Sequence, residues 1–233
     1  MKFETQRVAV LCSKRAPGLE QLLRHPLRNR SFEIACVVTT ELWLPQTFLI
    51  ERAGVPVLTH PIERFCEDRG VGVRDRDARR EYDAATAAML RILDVDSVLL
   101  LGYLYVLSSA LLDEFPSRIV NIHDSDLSVS TPDGERRYRG LRSTRDAILA
   151  GETSVRSTAH LVTPKLDGGP ILMMSERYPV PAAATAAAER GDLPLVKKYA
   201  WIQRQAMMND WGNLAANALE LVACDLGVEV ATA

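Results

Sequence analysis

The chain has 233 residues, which against roughly 100–200 residues per domain means one large domain or a domain with an appendage, and no tandem array. Hydrophobic residues make up 47% and charged ones 25%, the balance of an ordinary globule, which excludes disorder as the main theme. Twenty-eight Lys plus Arg against thirty Asp plus Glu give a formal charge of −2, so no global basic field draws in nucleic acid or an anionic membrane.

The first seven residues carry Lys2, Glu4 and Arg7 and lead into only five apolar ones, 8–12, too few for a signal-peptide core. Nothing approaches the roughly 18 uninterrupted apolar residues of a membrane span, so the chain reads as cytoplasmic, with no membrane partner. Short runs rich in Val, Ile and Leu predict strands at 8–12, 34–39, 55–58, 95–101 and 119–122, alternating with amphipathic helices near 18–27, 44–53, 75–93 and 108–115. Several strands are apolar at every position, as expected when helices cover both sheet faces. The prediction is an open, doubly wound α/β domain with a mostly parallel sheet flanked by helices. Past Gly140 follow a helix at 141–150, strands at 158–163 and 171–180, an Ala-rich connector or short helix at 181–192, and a long amphipathic helix over 193–226. The main domain should span 1–180, with 181–233 a connector and C-terminal helix packing on it. Four scattered cysteines form no C-x-x-C pair, so no metal site is expected and the thiols read as reduced and mostly buried.

Ligands in open α/β sheets collect beyond the C-terminal strand ends, here at 13–18, at 102–107 and from Asn121 onward. His123 ends a predicted strand as Asn121-Ile122-His123. Strand alternation puts residues i and i+2 on one face, so an amide and a titratable imidazole project together at the rim. Acyl transfer needs that pair, one group to hold an oxyanion and one to move a proton. A capping Asn beside a hydrogen-bonded structural His is the competing reading. Downstream, Leu166-Asp167-Gly168-Gly169-Pro170 follows the strand containing His160. Such a turn either presents the Asp167 carboxylate inward or simply joins two strands.

Taken in order, these segments resemble the 10-formyltetrahydrofolate-dependent formyltransferase superfamily, its glycinamide ribonucleotide (GAR) transformylase branch in particular. The matching pieces are Arg7-Val8-Ala9-Val10-Leu11-Cys12-Ser13, Glu51-Arg52-Ala53-Gly54-Val55-Pro56-Val57, Leu101-Gly102-Tyr103-Leu104-Tyr105-Val106-Leu107-Ser108, Phe115-Pro116-Ser117-Arg118-Ile119-Val120-Asn121-Ile122-His123, Ala147-Ile148-Leu149-Ala150-Gly151-Glu152 and His160-Leu161-Val162-Thr163 through Leu166-Asp167-Gly168-Gly169-Pro170-Ile171-Leu172. The resemblance implies that Asn121, His123 and Asp167 are catalytic, that 10-formyltetrahydrofolate is the cosubstrate and that no metal takes part. It also implies that backbone groups of Tyr105, Val106, Leu107 and of Pro164, Lys165, Leu166 hold the pterin. The acceptor would be a small-molecule amine, GAR or a relative. Related enzymes give the alternatives of a 10-formyltetrahydrofolate hydrolase and of a formyltransferase acting on an amino sugar or specialised metabolite.

Two departures bear on the acceptor. In that branch a glycine-rich first loop takes the ribose phosphate on its N–H groups. Here it reads Ser13-Lys14-Arg15-Ala16-Pro17-Gly18, and Pro17 has no N–H, which leaves Ser13, Lys14, Arg15 and Gly18 as the substrate candidates. After His123, extra residues around Pro132-Asp133-Gly134 predict a small hairpin at the mouth. Five arginines follow between 136 and 145 with no acid among them. They form either a solvated basic face or an anion site in which Arg139 and Arg142 take part. Tyr105 stands where relatives often carry Arg. His25 and His60 read as surface residues, and His160 as packing or a support for Asp167. A homo-oligomer is left open.

Overall fold

The structure, a computed structural model, describes residues 5–224. Strand β1 (Gln6–Cys12) runs through the centre, with Val8 to Cys12 all buried. Its alternation divides the core in two. Val8, Val10 and Cys12 pack on one side of the sheet with Phe32, Leu19 and Trp211, while Ala9 and Leu11 pack on the other with Val98, Leu111 and Phe115. Both faces are covered, which is why these strands carry no polar face.

β2 (Phe32–Thr39), β3 (Val57–Thr59), β4 (Ser97–Leu100) and β5 (Ile119–His123) join β1 in parallel. β7 (Thr158–Leu161) and β8 (Ile171–Met174) then add to the β5 edge antiparallel, giving the order β3-β2-β1-β4-β5-β7-β8. The crossover helices α1 (Leu19–Leu23), α2 (Thr47–Arg52), α4 (Arg76–Ile92) and α5 (Ser109–Leu112) sit at the predicted places, most of them shorter than their patterns. α4 is nearly full length because the Asp75 carboxylate accepts from Ala78 N at 2.9 Å and caps its first turn. α6 (Ser143–Leu149) follows β5.

The remaining differences have local causes. α3 (Ile62–Glu67) was not predicted, since six residues that bury Ile62 and Cys66 against Tyr82 are too few to show a helical period. The expected strand 171–180 is two pieces, because Ser175 turns aside to exchange hydrogen bonds with Ser157. Its second piece, β9 (Tyr178–Pro179), pairs with β6 (Ser154–Val155) in a separate ribbon. The Ala-rich stretch forms α7 (Ala182–Glu189). The expected C-terminal helix is α8 (Leu193–Met208) and α9 (Trp211–Ala223), and positions 225–226 of that expectation lie outside the described residues. Asn209-Asp210 breaks it with side chains that favour caps over helix interiors, Asp210 Oδ1 accepting from Asn213 Nδ2 at 2.9 Å. The break lets α9 lie back on the sheet, where α1 and α9 meet backbone to backbone: a Cβ on Gly212 would stand 2.5 Å from Gly18 O. No described helix is long and apolar enough to cross a membrane.

Candidate active site

The C-terminal end of β5 carries Asn121 and His123, two apart and facing one cavity of about 520 Å³. Antiparallel pairing with β7 sets His160 directly opposite Asn121. Asn121 Nδ2 lies 3.1 Å from His160 Nε2, and His160 Nδ1 lies 2.8 Å from the Leu161 carbonyl. A carbonyl only accepts, so Nδ1 carries the proton and Nε2 accepts from the Asn121 amide. His123 Nε2 stands 3.1 Å from the Tyr138 carbonyl and therefore donates to it, which leaves Nδ1 facing Asp167 Oδ2 at 3.7 Å. Asp167 Oδ1 is 3.7 Å from His160 Nε2. Amide, two imidazoles and carboxylate thus converge on one wall from three separate stretches of chain.

Asp167 is held there by its turn. Its φ of 49° is left-handed, a conformation that costs energy for a residue with a side chain and survives only where neighbours enforce it. The enforcing contacts come from the mouth hairpin, which closes through Thr131 N to Glu135 O at 2.8 Å and Arg137 N to Val129 O at 2.9 Å. From it Arg136 donates to the carbonyls of Asp167 and Gly169, both at 2.6 Å, and Gly140 N donates to Asp167 Oδ2 at 2.8 Å. Gly169 is pressed so close to β7 that a Cβ would fall 1.9 Å from Leu161 O. Gly169→Ala must therefore push the loop off the strand. The expected result is a melting temperature several degrees lower, from overpacking of about 1–3 kcal/mol, and a cavity wall without its carboxylate; an unchanged melting curve would contradict it.

Burial lowers the pKa of His160 from the usual 6.5 to about 4, with the neighbouring His123 and Arg136 charges acting the same way. It stays neutral at ordinary pH, so its 3.7 Å approach to Asp167 is no ion pair. The depressed folded value gives stability its sign. As pH falls from 6.5 towards 4 the unfolded chain accepts a proton the fold refuses, and stability is lost across that window. Urea midpoints should be lower at about pH 5 than at about pH 7.5, and His160→Gln should shrink the gap. His60 is likewise no surface residue: it is half-buried, stacked on Tyr82 at 4.0 Å and hydrogen-bonded to Thr86 at 3.1 Å, and burial lowers its pKa.

Of the six pterin candidates, Tyr105, Val106, Leu107 and Leu166 line the cavity, while Pro164 and Lys165 do not. Lys165 turns away to Glu135 at 2.6 Å. The end of the 105–107 loop is tied down by Asp83, whose Oδ2 accepts from Ser108 N at 2.6 Å. Burial raises the Asp83 carboxyl, partly offset by that bond. Val106, Leu141 and Leu166 leave exposed apolar surface at the mouth, an area an aromatic ligand would cover. Among the described residues no group of three or more His, Cys, Asp and Glu is placed to hold a metal ion.

The substrate candidates divide. Arg139 and Arg142 line the cavity, but Ser13, Lys14, Arg15 and Gly18 are not brought to it. Ser13 is fully buried, its hydroxyl oxygen accepting from Thr40 Oγ1 at 3.0 Å and Leu104 N at 3.2 Å. Gly18 is spent on the contact with α9, and Arg15 points to Gln205 Oε1 on α8 at 3.2 Å. Sequence reasoning missed Asp124 and Arg204, which also line the cavity and form an ion pair. Asp124 adjoins His123 and could have been flagged. Arg204 lies 80 positions beyond Asp124, and nothing in the sequence tied it to the rim.

Fold and rim together define an open α/β protein with a ligand cavity at the C-terminal edge of its sheet, the place such folds reserve for binding. A family model described as formyl transferase matches residues 6–190. The chain belongs to the formyl transferase family. It is 28% identical over 182 residues to the trifunctional purine biosynthetic protein adenosine-3 of Gallus gallus, covering 77% of this chain and 16% of that protein. It is also 28% identical over 170 residues to the formyltetrahydrofolate deformylase of Bacillus subtilis (strain 168), covering 72% of this chain and 49% of that one. The chain therefore spans less than half the length of either relative. Glycinamide ribonucleotide transformylase 1 from Symbiobacterium toebii has a similar structure, with a TM-score of 0.64 and 27% identity, covering 90% of this chain and 88% of that one.

Proposed function

We propose that this protein transfers the formyl group of 10-formyltetrahydrofolate to the primary amine of a small molecule. The observation that carries the reading is the convergence of Asn121, His123 and Asp167 on one cavity wall, within a chain of the formyl transferase family. The amine attacks the formyl carbon and a new C–N bond forms. Negative charge developing on the formyl oxygen is met by the second Asn121 Nδ2 hydrogen and by protonated His123 through Nδ1, the nitrogen not engaged by Tyr138. Asp167 takes the proton released by the amine and returns it to N10 as the old C–N bond breaks, so no net proton is consumed. Neutral His160 orients the Asn121 amide by accepting one of its hydrogens. The apolar mouth and the 105–107 loop fit the aromatic parts of the folate.

Incubation with 10-formyltetrahydrofolate and a panel of amines that includes GAR and amino sugars should release tetrahydrofolate only when an acceptor is present. The similarity to the deformylase supports a second reading, in which water replaces the amine. Release at the same rate without any acceptor would establish that reading against transfer, and no release under any condition would defeat both.

A further inference from the structure

The first loop does not line the cavity, whereas two arginines from elsewhere in the chain, Arg142 and Arg204, do. In the first loop the Ser13 hydroxyl is fully buried, accepting from Thr40 and Leu104, Pro17 has no N–H, and the Arg15 guanidinium is turned to Gln205 of α8. The next residue back on that helix, Arg204, faces the cavity. Its Nε pairs with Asp124 Oδ2, while Ser143 Oγ donates to Asp124 Oδ1 at 2.9 Å. Asp124 is 5% exposed, so its buried carboxylate depends on Arg204 as its ion-pair partner. The terminal amino groups of Arg204 have no hydrogen-bond partner among the described residues, and the side chain is 32% exposed.

A second arginine lines the same cavity. Arg142 adjoins Ser143, is exposed and has no ion pair among the described residues. Its neighbours differ: Arg139 pairs with Glu135 at 3.3 Å and Arg145 with Asp146 at 2.6 Å. Arg142 and the terminal amino groups of Arg204 thus open on the same cavity as Asp124, a single residue beyond His123. Guanidinium forks match the oxygens of phosphates and carboxylates.

We propose that Arg204 and Arg142 form an anion site that selects the acceptor, so the amine that receives the formyl group carries a phosphate or carboxylate. This rests on the formyl-transfer reading and adds to it a residue, Arg204, beyond the 6–190 span of the family match. An anion docked there keeps its amine within reach of Asn121, His123 and Asp167 if only a few bonds separate the two groups.

Inorganic phosphate and acetate, titrated separately into the full chain by calorimetry, test the site without turnover. One of the two should bind, and Arg204→Gln and Arg142→Gln should each weaken it by about tenfold or more, whereas Arg15→Gln should not. Arg204→Gln leaves Asp124 without its partner and can fail to fold; Arg142→Gln, at an exposed position, then carries the test. Failure of both anions to bind, or loss of binding in Arg15→Gln with retention in Arg142→Gln, overturns the proposal. The kinetic arm compares 2-aminoethyl phosphate, β-alanine and ethanolamine as formyl acceptors. A lower KM for the phosphate or the carboxylate amine says which anion the site takes, and equal KM values for all three overturn it. Anion binding through Arg204 with no amine formylated would instead remove the transfer reading and leave the site standing.

Discussion

Replacing His123 with Ala, or Asp167 with Asn, is expected to lower kcat for formyl transfer by at least about 100-fold while folate binding persists. The size follows from what each group does. A preorganised donor aimed at developing negative charge is worth about 10²–10³ in rate, and a placed proton acceptor about 10²–10⁴. His123 is 7% exposed and its ring is fixed by Tyr138 O on one side and Asp167 on the other, so its alignment costs nothing when substrate arrives. Asp167→Asn keeps the shape of the turn but removes the proton acceptor, and it keeps a group able to accept from Gly140 N. The apolar mouth and the 105–107 loop are untouched, so fluorescence titration with folate should give a dissociation constant within a few-fold of the parent chain. Activity in either variant within tenfold of the parent would remove that residue from the chemistry. Asn121→Ala should fall in the same range, and because it also leaves His160 Nε2 unpaired in a buried setting it should be the least stable of the three.

The part of this site legible in the sequence is the part built by strand alternation. Asn121 and His123 had to share a face once they shared a strand, and Gly168-Gly169-Pro170 announced a tight turn that brings Asp167 back. His160 was not legible as the partner of Asn121. That contact depends on β7 running antiparallel to β5, and on a register of one residue, neither of which an apolar run discloses. The first loop misled for a related reason. Its position at a strand end made Ser13 to Gly18 natural ligand residues, but whether a loop faces the cavity depends on what packs over it, and here α8 and α9 do. The break at Asn209-Asp210 decides that packing, and capping residues inside an amphipathic pattern are a weak signal beside the periodicity predicted over 193–226.

The mouth hairpin joins these two halves of the site. Tyr138 O accepts from His123 Nε2, Arg136 clamps the strained Asp167 turn, and Glu135 pairs with both Lys165 and Arg139. Substitution in the hairpin should therefore act on catalysis through alignment. Arg136→Lys keeps a charge but cannot span two carbonyls, and it should depress kcat with little change in the KM for either substrate.

Trp211→Ala is the substitution expected to cost most in stability, about 3–5 kcal/mol. The indole is 2% exposed, starts α9, and fills the space between Gly18, the sheet and the cavity floor. Its Nε1 donates to Ser157 Oγ at 2.7 Å, and Ser157 N in turn donates to Ser175 Oγ at 2.9 Å. Truncation thus opens a void in the main core and strips a buried hydroxyl of its partner. Alanine cannot be compensated by collapse, because α1 and α9 already touch through their backbones at Gly18 and Gly212 and can move no closer. In a chain of this length the melting temperature should fall by roughly 10 °C. Trp211→Phe retains most of the volume and loses only the hydrogen bond, so a drop of about a third of that size should follow. If the two variants melt together, the hydrogen bond and not the packed ring anchors α9. If neither shifts, α9 is not held by Trp211, and the wall that carries Arg204 into the site must be fixed elsewhere.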